Sequence, residues 1–356
     1  MMTRITSSLV HIMVLVHVLV PKRPRTSKPR DARSSQAMPC SSLSPDAAVM
    51  VFGMSRSGTS LTTSMVASLL GGDAAVWRGH GAAYPTDSRN RLGYFERMDV
   101  VRLNYDTLRK IVGSGGWTRF APDFASHPTA LNFSAAPASE RSRFQSSFEA
   151  HARPILRDMA SQNAPFVLKD VRFSRTLPLW APLLRERVHR LACVIPFRHP
   201  EEVERSSVTG GDRISLWRNY LLAALTSARS VCGAERTVLV EYDAWFDARK
   251  DAQLARLRAG LQCAGVPTVA KAPAVELVRA SERHHRANAS PPAAPSTLPP
   301  LAACLLRELQ SGDALRWGGW DDARHGYRYT PCANAGGAPT TTSIRNRLSI
   351  FGRARR

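Results

Sequence analysis

At 356 residues, 44% hydrophobic and 22% charged, the chain can bury a core and is long enough for one large domain of about 230–250 residues with tails, or two small ones. Its net charge of +21 calls for an anionic partner. Residues 1–46 carry seven Lys and Arg against two acids, and residues 323–356 seven against none, so more than half of the excess sits at the two ends. No RNP, zinc-finger or helix-turn-helix pattern accompanies this charge, which argues against nucleic acid as a partner. The six cysteines show neither C-x-x-C nor Cys/His zinc spacing, which argues against a structural metal. Cys193, inside an apolar run, reads as a small buried hydrophobe, and the others could pair in an oxidising compartment.

Leu9 to Val20 is almost wholly apolar. It is short of the roughly 20 residues a bilayer-spanning helix needs and closer to a signal-peptide core. A secretory signal or short signal anchor is the first reading, an organelle leader the second, a non-functional extension the third. The first favours the secretory pathway or Golgi, as membrane or lumen, with membrane association through this segment. The basic, proline-interleaved run from Lys22 to Arg33 reads as disordered, so residues 1–46 read as an apolar leader followed by a disordered basic segment.

From Ala47 the composition turns globular. Val49 to Phe52 reads as a buried strand, Gly53 and Gly58 bracket a tight loop, and Thr59-Ser60 open a helix whose Leu61, Met65 and Leu69 make a buried stripe before Gly71-Gly72. A strand, a glycine loop and a helix start form a cradle for phosphate or sulfate. First-turn N–H groups lack partners, the helix dipole adds positive charge, and glycine lets the backbone approach an anion. Against the nucleotide-binding pattern G-x-x-x-x-G-K-[ST], Thr59 stands where lysine belongs, which weighs against an ordinary ATPase or kinase. The loop's cation is Arg56, which could fork onto a terminal anionic group.

Val100, Val101, Leu103, Asn104 and Leu108 mark another helix, and residues 113–140 read as a long loop. Phe166 to Asp170, Leu191 to Ile195 and Val238 to Tyr242 read as short strands, with helices over Glu201–Ser207 and Leu216–Val231. Pro196 cannot donate to a ladder and belongs at a strand end or facing no partner. Strands alternating with helices predict a three-layer α/β fold, a parallel sheet with helices on both faces. Residues 287–300 read as a proline-rich linker, Leu301 to Leu309 as a short helix, and the remainder to 356 as a basic tail. Two sequons, at Asn132 and Asn288, fall in expected loops.

Arg56-Ser57-Gly58-Thr59-Ser60 resembles the phosphosulfate loop of sulfotransferases that use 3′-phosphoadenosine 5′-phosphosulfate (PAPS). Arg198 follows the third strand, and Ser206 lies eight residues on, two helical turns into the next helix. That spacing resembles the family's 3′-phosphate site, with Ser207 as a substitute for Ser206. Leu168-Lys169-Asp170-Val171-Arg172 resembles a segment in which a strand-end lysine reaches the donor, and Gly93-Tyr94-Phe95-Glu96 a segment of bacterial-type sulfotransferases. The resemblance covers residues 47–286, ending near Ser281 to Arg286, and departs from the family at Val171, where proline is frequent. It implies a P-loop NTPase-like sulfotransferase fold and PAPS as co-substrate, without metal. Arg56, Ser57, Gly58, Thr59, Ser60, Arg198 and Ser206 would bind the donor. Lys169 and Arg56 would meet charge growing on the bridging oxygen. Glu96, with His80 second, would take the acceptor's proton, and Asp170 would orient Lys169 or Arg172.

The expected reaction moves a sulfuryl group to a hydroxyl or amine of a glycan, protein or small molecule. The rival expectations are a metal-dependent kinase or NTPase, which lacks its loop lysine, and a non-catalytic nucleotide-binding protein of the same fold.

Overall fold

Every residue of Ala47–Val51 is fully buried, and alternate side chains enter two different cores. A strand buried on both faces belongs inside a parallel sheet, and this one does. The computed structural model describes residues 43–44, 46–72, 83, 93–112, 138–160, 165–206, 213–269, 298–315, 320–321 and 328–329. Its four main strands are β1 (Ala47–Val51), β2 (Phe166–Lys169), β3 (Arg190–Phe197) and β4 (Thr237–Glu241), in the spatial order β2-β1-β3-β4, all parallel.

The helices are α1 (Thr59–Leu69), α2 (Met98–Val112), α3 (Ala138–Ala160), α4 (Phe173–Arg185), α5 (Pro200–Arg205), α6 (Arg213–Val231), α7 (Lys250–Cys263) and α8 (Pro300–Ser311). Met50, Leu168, Cys193, Ile195 and Leu239 face α3, α4, α6 and α8 on one side, where Trp180 meets Phe148 and Phe173 edge to face. Val49, Val51, Val194 and Val240 face α1 and α7 on the other. The three-layer α/β expectation is met. Residues Trp320–Asp321 and Arg328–Tyr329 add a small antiparallel pair, β5 and β6.

This order creates a switch point. β1 connects onward to β2 on one side and β3 to β4 on the other, so a crevice opens where the carboxyl ends of β1 and β3 lie side by side. Pro196 suits the edge of that crevice. Val194 O accepts from Phe52 N, and Phe197 O accepts from Tyr242 N, so alternation turns the Pro196 nitrogen toward β1, whose pairing has already ended at Val51.

Several expectations need correction. Cys193 is buried, yet it is bonded to Cys232, because alternation turns it to the face where α6 ends. Cys263 and Cys304 are also disulfide-bonded, and no described cysteine is free. The expected loop 113–140 is shortened, since α3 begins at Ala138. Ser206 does not lie inside a helix, because α5 stops at Arg205 and Ser206 caps it. The leader, both sequons, His80, Ser207 and Ser281 to Arg286 lie outside the described residues. Among the described residues no helix is long and apolar enough to cross a membrane.

Candidate functional site

The loop from β1 to α1 is held in a conformation that most residues avoid. Arg56 has φ 69° and Gly58 φ 85°, both in the left-handed region, where a non-glycine residue costs about 1–2 kcal/mol. Gly58 is the N-cap of α1 and offers no side chain to its first turn, so those N–H groups face whatever lies above the loop. Ser57 is fully buried, and its Oγ finds no hydrogen-bond partner among the described residues. An orphaned buried hydroxyl beside an uncapped helix start suits an acceptor-rich anion. Thr59 is buried and its carbonyl accepts from Thr63 Oγ1 at 2.8 Å, while Ser60 Oγ donates to Tyr94 O at 3.5 Å.

That last contact brings in the segment Gly93 to Arg97. Phe95 takes φ 54°, and Glu96, next to it, reaches Lys169 at the end of β2: Nζ donates to Oε1 at 2.6 Å, with the two side chains 3% and 8% exposed. The Lys169 ammonium also lies 5.9 Å from the centre of the Tyr94 ring. Asp170, fully buried, accepts from the backbone N and the Nη1 of Arg172, both at 2.9 Å, and from Asn104 Nδ2 at 2.9 Å. Trp180 Nε1 donates to Asn104 Oδ1 at 2.7 Å, which locks the chain of bonds to α4. Asp170 therefore orients Arg172. Burial works against the charge on Arg172, and the Asp170 and Glu96 carboxylates outweigh it, holding its pKa above the ordinary arginine value.

Across the crevice Arg198 follows β3 and is 2% exposed. Its Nη2 donates to Glu202 Oε2 at 3.1 Å, its Nε lies 3.7 Å from Asp243 Oδ1, and its guanidinium carbon sits 4.6 Å from the centre of the Tyr242 ring. An anion bound here would share the guanidinium with two carboxylates. Trp217 Nε1 donates to Arg198 O at 2.9 Å and fixes the backbone. Ser206 is buried, and its Oγ donates to Val203 O at 2.9 Å, a bond it would exchange to meet a phosphate.

At the carboxyl edge of the sheet the loop of Arg56 to Ser60 adjoins Glu96 and Lys169, through the Ser60–Tyr94 bond and the Val51–Lys169 register, and Arg198 follows β3; Ser206 lies one short helix beyond Arg198, at the end of α5. Tyr242, whose ring adjoins Gly58 and Arg198, and Asp243, which lies beside Arg198, were not singled out from the sequence. The available signal was their place directly after β4, as Arg198 comes directly after β3. Among the described residues no group of three His, Cys, Asp or Glu side chains could hold a metal ion.

No protein-family model matches the chain, and no curated protein matches it significantly. Among solved structures it is similar to the sulfotransferase domain from the olefin synthase of Synechococcus PCC 7002. That likeness has 14% identity and a TM-score of 0.33, over 78% of this chain and 96% of that one. A likeness this low carries no argument about fold or chemistry.

Proposed function

We propose that the protein is a sulfotransferase that moves a sulfuryl group from PAPS to a hydroxyl or amine of a glycan, protein or small molecule. The observation that carries the reading is the pairing of two basic anion sites across the switch point, the uncapped glycine loop after β1 and buried Arg198 after β3. A donor with phosphate groups at both its 5′ and 3′ ends matches two such sites, and the orphaned Ser57 hydroxyl adds a donor at the first.

In this reading the loop amides and Arg56 hold the 5′ end, and Arg198 with Ser206 the 3′-phosphate. The acceptor oxygen attacks sulfur as the S–O bond to the nucleotide breaks. Lys169 stabilises the charge left on the bridging oxygen, and Glu96, which holds Lys169, takes the acceptor's proton. The Cys193–Cys232 disulfide fits maturation in an oxidising compartment such as the secretory lumen.

The test is transfer of labelled sulfuryl groups from PAPS to a mixed panel of glycans, peptides and phenols, with ATP and Mg²⁺ as the control pair. Label on an acceptor is the expected result. Hydrolysis of ATP with Mg²⁺ and no label transfer would overturn the reading in favour of an NTPase.

A further inference from the structure

Tyr242 stands between the two halves of the site. Its ring fills the space that a side chain at Gly58 would occupy: a Cβ built there lies 2.0 Å from Tyr242 Cδ2 and 2.8 Å from Cε2. The same ring carries the Arg198 guanidinium carbon at 4.6 Å from its centre. Tyr242 N donates to Phe197 O at 2.8 Å, so its backbone is pinned to the residue before Arg198, and the Phe246 ring braces it at 5.1 Å and 59°. With 6% exposure and two side-chain torsions, the ring has little room to move. The glycine loop and Arg198 grow from neighbouring strands, and Tyr242 from the strand beyond, yet all three meet at this ring.

We propose that Tyr242 is a positioning residue that sets the span between the glycine loop and Arg198, so that a ligand anionic at both ends is gripped by both at once. The proposal takes its ligand from the function proposed above. A two-point ligand gains from the second contact only while the spacing of the two sites matches its own length. Removing the ring therefore penalises a ligand that uses both sites more than one that uses the loop alone. A residue that merely supported the fold would weaken both alike.

The experiment titrates the full chain, as wild type, Tyr242→Phe and Tyr242→Met, with adenosine 3′,5′-bisphosphate and with adenosine 5′-monophosphate by calorimetry, with thermal melting as the check on folding. Tyr242→Phe keeps the ring and is expected to hold both affinities within about threefold. Tyr242→Met keeps bulk without a flat face and is expected to weaken the bisphosphate about tenfold or more while the monophosphate changes less than about threefold. Equal losses for both ligands, or no loss for the bisphosphate, overturn the proposal. If the wild type binds no bisphosphate, the proposed function fails. The brace is then read without ligand, from melting of Arg198→Met, Tyr242→Met and the double variant. Non-additive shifts support it and additive ones overturn it. That melting cycle also decides the matter if Tyr242→Met melts too low for calorimetry.

Discussion

The buried pair of Lys169 and Glu96 gives the sharpest test of how the site is held. Nζ and Oε1 are 2.6 Å apart, and the side chains are 3% and 8% exposed, so neither charge has much water to fall back on. Glu96→Leu would leave an ammonium buried without that partner, which costs about 3–5 kcal/mol, and Lys169→Met would strand the carboxylate at a similar cost. Replacing both, Lys169→Met with Glu96→Leu, removes both desolvation penalties together and is expected to return stability to within about 1 kcal/mol of wild type. For a domain this large a single change should lower the melting temperature by roughly 6–20 °C, and the double change by only a few degrees. Differential scanning calorimetry with parallel urea unfolding reads the cycle, and a transfer assay on the same proteins reads activity. All three variants are expected to be inactive although one of them is stable. A Glu96→Leu protein that loses less than about 1 kcal/mol, or a double variant as unstable as the two single losses added, would refute the reasoning.

Gly58→Ala is expected to cost about 2–5 kcal/mol, from a left-handed φ of 85° and a Cβ 2.0 Å from the Tyr242 ring; urea unfolding within about 0.5 kcal/mol of wild type would contradict it. Replacing Cys193 and Cys232 together by Ala removes a crosslink across 39 residues of sequence and is expected to cost about 4 kcal/mol, again by urea unfolding, with an unchanged midpoint as the opposing result. Tyr220 predicts a loss of stability in alkali. Burial pushes its phenol pKa up, Arg172 and Arg175 pull it back, and Asp170 raises it again, with a net rise. The folded state then holds the proton longer than the unfolded chain, so this stability is complete below about pH 10 and falls as pH climbs through the folded value. Unfolding followed from about pH 9 to 12 should fall less steeply in Tyr220→Phe, and parallel curves would count against it.

The sequence made the sheet and its edge legible because each strand is short, apolar on both faces and followed at once by a residue with chemistry. Val49 to Phe52 runs into the glycine loop, Leu168 into Lys169, and Phe197 into Arg198. The helices were harder. α3 carries Pro154, and α4 carries Pro178 and Pro182, all with exposed rings, and the Ser174 carbonyl that Pro178 leaves without its helix partner accepts from Ser227 Oγ at 2.8 Å, so proline punctuated the sequence without ending the helices. The apolar stripe of α3, buried Phe148, Ala152, Ile155 and Leu156 with half-buried Phe144, is set among Arg, Glu, Gln and His residues that mask it in the sequence. Tyr242 was hidden for another reason. Its role comes from ring contacts with Gly58 and Arg198, 184 and 44 residues earlier in the numbering, and no local pattern records such a meeting. Cys193 looked apolar because it is buried, and its bond to Cys232 depends on which face of β3 meets α6.

The claim at the centre is that anion sites beyond β1 and β3 hold opposite ends of one nucleotide. Calorimetric titration of the full chain with adenosine 3′,5′-bisphosphate, beside Arg198→Ala, tests it most directly. Micromolar or tighter binding by the wild type, weakened at least about tenfold by the substitution and far less so for adenosine 5′-monophosphate, is the predicted result. Bisphosphate binding that survives Arg198→Ala unchanged, or no binding to the wild type, would contradict it.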